Sequence, residues 1–242
     1  MGKYSQLIEW IKNSRSTVFF GGAGVSTESG IPDFRSQDGL YHQKYAYPPE
    51  EIISHSFFMH DTEEFYRFYK DRMIYEDAKP NRTHKVLAEM EKKGLCDAVI
   101  TQNIDGLHQA AGSKNVIELH GSVLRNTCMR CGKKYDLNYV MEHAGVPRCE
   151  KCGGIVKPDV VLYEEGLNEE DIENAIRAIE EAEVLIIGGT SLVVYPAAGM
   201  IRYYRGNKLV LINRSSTPYD NYANLVFHDS LGDVFEEIGK EL

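Results

Sequence analysis

The sequence has no long hydrophobic run and little positive charge. No apolar stretch approaches the roughly 18 residues that a membrane-spanning helix needs, so such a helix is excluded. Among the 242 residues, 36 acidic side chains outnumber 27 basic ones and leave a net charge of −9, which argues against general nucleic-acid binding. With 43 % hydrophobic residues and no low-complexity tract, the chain is predicted to form one good-sized core and a small satellite domain.

The N-terminal residues are not expected to form a secretory leader. The first residues, MGKYSQLIEWIKNS, have the pattern of an amphipathic helix and not of a signal peptide. Gln6 stands where an N-myristoylation signal needs Ser or Thr. We therefore expect a cytoplasmic protein, in which the five cysteines are thiols or metal ligands more readily than disulfides.

The glycine-rich turn after the first predicted strand lacks the third glycine of a dinucleotide fingerprint. Gly22 and Gly24 follow strand 16–20, but Thr27 stands where the last glycine of G-x-G-x-x-G belongs. In a dehydrogenase, an acidic residue about 20 positions further on should end a second strand. Asp38 is near that offset but lies in a stretch without a strand pattern. Hydride transfer is disfavoured, and an insertion after the first turn is predicted.

Short apolar strands alternate with helices along the chain. The predicted strands are residues 16–20, 97–101, 115–119, 159–163, 183–189 and 208–213, and the predicted helices are residues 4–13, 49–59, 62–75, 81–93, 169–182, 196–204 and 231–240. This alternation predicts a Rossmann-like, doubly wound, mainly parallel α/β sheet with ligands at the carboxyl ends of its strands. Three strand ends, at 21–26, 101–105 and 188–191, are polar or glycine-rich. Together they predict a binding crevice.

Four of the five cysteines form two C-x-x-C pairs. Between Cys128-x-x-Cys131 and Cys149-x-x-Cys152 lie 17 residues, a spacing within the range of four-cysteine zinc sites. Four thiolates close a tetrahedron around Zn²⁺ and leave no position for substrate or water, so the predicted site is structural. Redox cysteines are the alternative. Cys96 is expected to be a small buried hydrophobe.

Five basic residues accompany the cysteine pairs: Arg130, Lys133, Lys134, Arg148 and Lys151. They leave open a zinc-ribbon protein that binds nucleic acid. A solvated basic face on an acidic protein is the simpler interpretation.

Six motifs follow one another along the chain: GAGVSTESGIPDFRS at 22–36, TQNIDGLHQAAG at 101–112, ELHGS at 118–122, the paired C-x-x-C, GTSLVVYPAA at 189–198 and INRS at 212–215. In this order they resemble the sirtuin family of NAD-dependent protein lysine deacylases, in its compact bacterial form. The resemblance spans about residues 5–235. It implies a Rossmann-like NAD-binding domain of residues 1–36, 94–122 and 158–242, and a small domain that joins a helical insertion, 37–93, to the zinc module, 123–157.

The resemblance also implies an activity, that of a NAD-dependent protein deacetylase. The amide oxygen of acetyl-lysine would attack C1′ of the nicotinamide ribose, and the products would be lysine, nicotinamide and O-acetyl-ADP-ribose. NAD is then a co-substrate, Zn²⁺ is structural, and acetylated proteins or peptides are the partners. A protein ADP-ribosyltransferase, which cleaves the same bond of NAD, is the alternative among enzymes.

The same resemblance assigns residues to roles. His120, in the motif ELHGS, matches the general base of the family. An imidazole suits this role, since near its unperturbed pKa it can accept a ribose hydroxyl proton at neutral pH. Asn103 is the second catalytic residue, beside the ribose. The implied NAD-binding residues are Ala23, Thr27, Phe34, Arg35, Gln102, Ile104, Asp105, Thr190, Ser191, Asn213 and Asp229.

The peptide is expected between two loops, 163–167 and 192–195, and to pair with their backbones as an added strand. The residues expected to contact the peptide are Tyr163 and Glu165 of the first loop and Val193 of the second. The family usually has Phe-Gly-Glu where this chain has Tyr-Glu-Glu. Glu164, at the glycine position, is expected to alter the loop and to favour basic residues near the target lysine.

A second departure concerns the acyl group. Family members that prefer succinyl or malonyl groups carry a Tyr-x-x-Arg pair, whereas this chain has Tyr66 and, at the arginine position, Tyr69. Without a cation, the desolvation of an acyl carboxylate is not compensated. Acetyl and longer neutral groups are therefore expected over succinyl, with Arg67 and Arg72 as the candidate substitutes for the missing arginine.

Overall fold

The computed structural model describes residues 2–33 and 47–242. Its strands are β1 Thr17–Gly21, β2 Ala98–Thr101, β3 Val116–Glu118, β4 Gly121–Cys128, β5 Lys134–Tyr135, β6 Val156–Val160, β7 Val184–Gly188, β8 Leu209–Ile212 and β9 Leu225–Phe227. Its α-helices are α1 Ser5–Asn13, α2 Pro49–Ile52, α3 His55–His60, α4 Thr62–Arg72, α5 Arg82–Lys92, α6 Leu107–Ala111, α7 Leu137–Glu142, α8 Glu169–Glu181 and α9 Leu231–Glu241. Segments of 3₁₀ helix cover Ala23–Val25, Thr27–Ser29, Ala197–Tyr203 and Asp220–Tyr222.

Six parallel strands form the main sheet, in the order β3-β2-β1-β7-β8-β9. Every residue of the four central strands is buried, as expected for parallel strands that are covered on both faces. Successive side chains of β1 enter different cores, with Phe19 on one face and Val18 and Phe20 on the other. The sheet confirms the predicted doubly wound α/β fold.

Helices cover both faces of this sheet. Buried residues of α1, α5 and α9 pack with Phe19, and those of α8 and of segment Ala197–Tyr203 pack on the opposite face. Asn81, the first residue of the predicted helix, is the N-cap of α5. Its side chain accepts from the backbone N–H of His84, and the His84 ring accepts from the backbone N–H of Asn81. In the described part of the chain, none of the helices has the length and apolar character needed to cross a membrane.

Three strands form a second, antiparallel sheet in the order β5-β4-β6. Its apolar residues share a third core with α2, α3 and α4, in which Phe58 of the helices and Val156 of the sheet are fully buried. Helices α2 to α4 and the cysteine-bearing sheet therefore pack as one unit, while α5, from the same predicted helical insertion, packs on the main sheet. The predicted module limits, residues 123 and 157, lie inside β4 and β6, so the second sheet extends past the predicted module at both ends.

Most predicted elements differ from the structure at their end residues, and two are split or shifted. The helix predicted over 49–59 is split into α2 and α3, because Ser54 between them is extended and its hydroxyl caps α3 by accepting from Phe57 N at 3.2 Å. The strand predicted over 159–163 begins earlier, as β6, and its buried residues alternate toward the third core. It pairs antiparallel with β4, and Tyr163 lies beyond its end.

Two buried histidines, His84 of α5 and His108 of α6, lie against each other with ring centroids 4.6 Å apart. Burial lowers the pKa of His84 to about 4. Burial, together with the neighbouring His84, lowers the pKa of His108 to about 3. Both rings are therefore neutral at pH 7, and protonation of either would place a charge in the core.

Acid is expected to destabilise the protein through this pair. Each pKa is lower in the folded state than in the unfolded chain, so the stabilisation is complete above about pH 6.5 and is lost as the pH falls toward the folded values. The expected slope reaches about 1.4 kcal/mol per pH unit for each histidine. Urea unfolding across this range measures it. His108→Gln should flatten the pH dependence, and the exposed control His60→Gln should not; equal slopes in all three proteins would contradict the assignment.

Candidate active site

The carboxyl ends of β2, β1 and β7 meet at one edge of the main sheet, because these strands are neighbours. Residues of the three polar strand ends line a cavity of 1330 Å³ there. Across the cavity, Val123 and Val160 of the second sheet form part of the opposite wall. The predicted crevice is confirmed, and it lies between the main sheet and the third core.

The glycines of the first turn are required by a close approach of two strand ends. Gly24 N donates to Gly189 O at 2.8 Å, and a Cβ on Gly24 would lie 2.7 Å from the Gly189 Cα. A Cβ on Gly22 would lie 2.7 Å from the Thr190 Cβ. Beyond them the chain forms two short 3₁₀ segments, and the Thr27 hydroxyl donates to Gly24 O at 3.1 Å. Thr27, at the position of the third glycine, therefore begins a 3₁₀ segment and is bound back to the turn.

Gln102, at the end of β2, makes two hydrogen bonds that join it to the ends of β1 and β7 and a third to His120. Its backbone N–H donates to Gly21 O at 3.0 Å, and its side-chain amide donates to Thr190 Oγ1 at 3.1 Å. Its backbone carbonyl accepts from His120 Nδ1 at 2.9 Å. The position of the imidazole is thus fixed by the same residue that joins β1, β2 and β7.

The bond to Gln102 decides which nitrogen of His120 is basic. A carbonyl oxygen can only accept, so Nδ1 carries the proton and Nε2 keeps its lone pair in the neutral ring. Burial lowers the pKa of His120, and the hydrogen bond to Gln102 opposes this in part. The ring, which lines the cavity, is therefore neutral at pH 7 and can accept a proton at Nε2.

Asn103, Ser26 and Asp105 form a buried polar chain beside His120. Asn103 Nδ2 donates to Ser26 Oγ at 3.0 Å, and Ser26 Oγ donates to Asp105 Oδ2 at 2.6 Å. Asp105 Oδ1 accepts from Leu107 N at 2.9 Å. Burial raises the pKa of Asp105, and the hydrogen bonds from Ser26 and Leu107 oppose it. Ser26 was not predicted as a site residue, although a serine two positions after Gly24 in a strand-end turn was a signal for it.

Most of the predicted site residues lie together around the cavity. Those that line it are Ala23, Thr27, Gln102, Asn103, Ile104, Asp105, His120, Tyr163, Glu165, Thr190, Ser191, Asn213 and Asp229. Val193 is 46 % exposed and lies outside the lining. Phe34 and Arg35 fall outside the described residues.

Asn213 and Asp229 follow β8 and β9, at the far end of the cavity. The Asn213 side chain donates to Ser215 O at 2.7 Å. Asp229 Oδ1 accepts from Lys3 Nζ at 2.7 Å. That hydrogen bond lowers the pKa of Asp229, so this carboxylate is ionised and bound to the N-terminal segment.

The positions that bear on acyl choice have distinct environments. Tyr66 does not line the cavity, and its hydroxyl donates to Val156 O. Tyr69 lines the cavity and is 1 % exposed. Arg67 points away and pairs with Glu64 at 2.6 Å. Arg72 lines the cavity and lies 2.6 Å from the carboxylate of the adjacent aspartate.

The four paired cysteines converge, with all sulfurs within 4.8 Å of one another. The sulfurs of Cys128 and Cys152, and those of Cys131 and Cys149, are 3.5 Å apart. Around zinc, with Zn–S bonds of about 2.3 Å, tetrahedral sulfurs lie about 3.8 Å apart. Gly154 leaves room for this arrangement, since a Cβ there would lie 3.0 Å from Cys128 Sγ. The donor set fits a structural zinc ion.

Hydrogen bonds to the sulfur of Cys149 favour the thiolate form that a metal needs. Tyr135 Oη donates to Cys149 Sγ at 3.1 Å. Burial opposes ionisation of Cys149, but hydrogen bonds from Tyr135 and from the backbone amides of Cys152 and Lys151 outweigh it and lower the pKa to about 6. The protein thus prepares this cysteine for metal binding.

Cys128→Ala is expected to release zinc and to destabilise the protein by more than about 2 kcal/mol, because metal-binding free energy contributes to folding. Metal analysis of the purified protein and thermal unfolding measure both effects. Cys96→Ala is the matched control: Cys96 is buried but lies outside the quartet, so this variant should keep its zinc. A zinc-free Cys128→Ala protein of unchanged stability would contradict the structural role.

The basic residues of the cysteine segment are largely paired. Lys133 Nζ lies 2.6 Å from a Glu150 carboxylate oxygen, and Lys134 Nζ lies 3.2 Å from one of Asp159. Arg130 donates to Cys152 O at 2.8 Å. These contacts support the simpler interpretation of a neutralised, solvated face.

Together these features define a class: a doubly wound α/β protein with a nucleotide-type crevice at glycine-rich strand ends and a four-thiolate module beside it. The Sir2 family model matches residues 22–196. A protein of Clostridium acetobutylicum, named NAD-dependent protein deacetylase, is 60 % identical over 241 residues, 98 % of each chain. A protein of Clostridium tetani with the same name is 62 % identical and spans 100 % of this chain and 99 % of its own. The chain belongs to the Sir2 family.

Solved structures agree over the full length. A Sir2 variant with deacetylated p53 peptide and 3′-O-acetyl ADP ribose is 41 % identical, with a TM-score of 0.91 over 99 % of this chain and 98 % of that one. A Sir2 complex with p53 peptide and NAD+ has 41 % identity and a TM-score of 0.87 over the same shares. A third, described as bound to a propionylated peptide, has the same identity, TM-score and coverage as the NAD+ complex.

Proposed function

We propose that this chain is a NAD-dependent protein lysine deacetylase, which converts acetyl-lysine and NAD to lysine, nicotinamide and O-acetyl-ADP-ribose. The observation that carries the proposal is the neutral imidazole of His120, fixed by the carbonyl of Gln102 at the wall of the cavity. Relatives named for this activity match nearly the whole chain.

NAD is proposed to lie along the three joined strand ends. Ile104 and the buried Asp105 would hold the nicotinamide carboxamide, and Thr190, Ser191 and Asn213 would hold the adenosine half. The further proposed contacts are Ala23, Thr27, Gln102 and Asp229, all in the cavity lining, and Phe34 and Arg35, outside the described residues. Backbone N–H groups of the glycine turn are suited to the pyrophosphate.

The reaction begins with attack of the acetyl-lysine amide oxygen on C1′ as nicotinamide leaves. Departure of nicotinamide builds positive charge on the ribose, which fixed side-chain oxygens stabilise better than mobile water does. The chain of Asn103, Ser26 and Asp105 supplies such oxygens, held by its own hydrogen bonds. His120 Nε2 then accepts the proton of the 2′-hydroxyl, whose oxygen attacks the imidate carbon. A water molecule adds to the same carbon, the C–N bond breaks, and lysine leaves with O-acetyl-ADP-ribose as the second product.

The peptide is proposed to enter between loops 163–167 and 192–195 and to pair with their backbones. Tyr163 and Tyr195 are 37 % and 59 % exposed, at the cavity wall. Glu165 lines the cavity from the same side as Tyr163, and Val193 would contact the peptide from the second loop. Main-chain pairing depends little on the side chains of the bound peptide, so a broad range of target proteins is expected.

The acyl pocket is proposed to favour neutral groups. Tyr69 occupies the arginine position with an uncharged, buried ring, and the hydroxyl of Tyr66 already donates to a backbone carbonyl. Arg67 is paired on the outside. Arg72 lies close to its own carboxylate partner, which lowers the gain from binding a second carboxylate.

The small domain is proposed to comprise residues 37–93 and 123–157, with the rest of the chain binding NAD. The shared third core supports this division for α2, α3, α4 and the second sheet, whereas α5 packs against the main sheet. We also propose a cytoplasmic location, supported by cysteines that are arranged as metal ligands and not as disulfides. The two rival functions have less support: an ADP-ribosyltransferase does not need the poised base, and a nucleic-acid binder is disfavoured by the net charge of −9 and by the carboxylates beside Lys133 and Lys134.

His120→Ala is expected to lower kcat for deacetylation at least about 100-fold while peptide affinity changes less than about twofold. The wild-type rate should stay constant down to below pH 6.5 and then fall, because burial lowers the pKa of the base and only the neutral ring accepts a proton. Mass spectrometry of the products gives the rates, and His60→Ala, at an exposed histidine, is the control. An unchanged rate in His120→Ala would refute the base assignment.

Acetyl-lysine is expected to be deacylated at least about tenfold faster than succinyl-lysine, because Tyr69 stands at the arginine position and both Arg67 and Arg72 lie beside carboxylates of their own. One reaction with NAD and matched acetyl-, butyryl- and succinyl-peptides, read by mass spectrometry, gives the ranking. Equal turnover of succinyl and acetyl peptides would contradict the pocket assignment. Nicotinamide release with mass added to protein, and no deacylated peptide, would indicate ADP-ribosyl transfer.

A further inference from the structure

Two non-glycine residues in the described ranges have a left-handed backbone, Glu164 with φ 74° and Leu192 with φ 55°. In this conformation any residue with a side chain is strained, and such residues persist where the surroundings hold them, often at ligand-binding segments. Both lie in the loops proposed to bind the peptide. The surroundings of Glu164 can be traced atom by atom.

The carboxylate of Glu164 is bound to the start of α3. Its Oε2 accepts from Ser56 N at 2.8 Å and from Ser56 Oγ at 2.6 Å. These hydrogen bonds lower the pKa of Glu164, so the group is ionised at neutral pH. Charge-assisted hydrogen bonds of this kind are stronger than neutral ones.

The backbone beside Glu164 is joined to the same segment. His55 N donates to Tyr163 O at 2.9 Å, and Tyr163 N donates to Ile53 O at 3.0 Å. These bonds form a short parallel bridge between Ser54 and Tyr163. The Glu164 side chain therefore extends an existing contact between the loop and the helical segment.

Glu165 holds the loop from the other side. Its Oε1 lies 2.9 Å from His55 Nδ1, and its Oε2 accepts from Leu162 N at 2.9 Å and lies 3.1 Å from Lys157 Nζ. Its charge is thus met by a lysine. For Glu164, by contrast, the described residues provide hydrogen bonds from Ser56 and no ion pair with a lysine or arginine.

We propose that Glu164 is a positioning residue for substrate: by binding Ser56 it holds loop 163–167 in its peptide-accepting form before the acylated peptide arrives. The proposal deepens, and rests on, the deacetylase function. A loop that is already ordered loses less conformational entropy on binding, so Glu164 acts on peptide affinity and leaves the chemistry of NAD unchanged. Ser56 is its partner in this role.

Hydrogen exchange of the zinc-loaded, full-length protein without NAD or peptide tests the positioning directly. Glu164→Ala should speed exchange of the Ser56, His55 and Tyr163 amides, because their loop contact is weakened. Glu164→Gln keeps an acceptor oxygen for Ser56 and should retain most of the protection. Unchanged exchange in Glu164→Ala would overturn the proposal, and this result does not depend on whether the protein deacetylates anything.

Steady-state kinetics with an acetyl-lysine peptide test the consequence. Glu164→Ala should raise KM for the peptide about three- to tenfold, the effect of one lost hydrogen-bond contact, with kcat and KM for NAD unchanged. Glu164→Gln should restore KM. Ser56→Ala should raise KM less, and the double variant should be no worse than Glu164→Ala, as for residues that act through one contact.

The controls separate this role from simpler ones. Glu180→Ala removes a surface carboxylate that pairs with Arg205 far from the loop and should leave KM unchanged. If Glu164→Gln is as impaired as Glu164→Ala, and more so with a peptide that carries basic residues beside the target lysine, Glu164 attracts the peptide by charge and the positioning role is wrong. A wild-type protein without deacetylase activity would refute the proposed function, while hydrogen exchange would still decide the positioning.

Discussion

The site depends on the hydrogen bonds of Gln102. Its backbone N–H fixes the end of β2 to β1, its side chain reaches Thr190 after β7, and its carbonyl holds His120 Nδ1. One residue thus sets the relative position of three strand ends and the tautomer of the imidazole. The same strand ends carry the polar chain from Asn103 to Asp105, so the base and this chain line one cavity.

Much of this arrangement could be predicted from the sequence, because the central strands are buried on both faces and are therefore continuous apolar runs with polar residues where they end. The spacing of the cysteines was equally informative, since only some spacings along the chain allow four sulfurs to surround one metal ion in a tetrahedron. The order β2-β1-β7 then brings the predicted residues together. Local pattern and global topology agree here, as is common in natural sequences.

Other features could not be predicted, for physical reasons. Strand β4 has both exposed and buried residues in irregular order and a register shift between Gly121 and Asn126, so it lacks a period-two pattern. The split between α2 and α3 depends on the pairing of Ser54 with Tyr163, a contact between distant parts of the chain. The orientation of Glu164 toward Ser56 could not be predicted either. From the sequence alone, Glu164 was expected to offer a free charge to the peptide.

The backbone contact between Gly24 and Gly189 has a mechanical consequence. The two turns touch with no side chain between them, and a hydrogen bond joins them. The floor of the cavity therefore cannot widen unless the close-packed main sheet is pulled apart. The opposite wall belongs to a core of its own, built by α2 to α4 and the second sheet. Any difference in the width of the cavity must therefore come from that opposite wall, because the floor is held by a direct backbone contact.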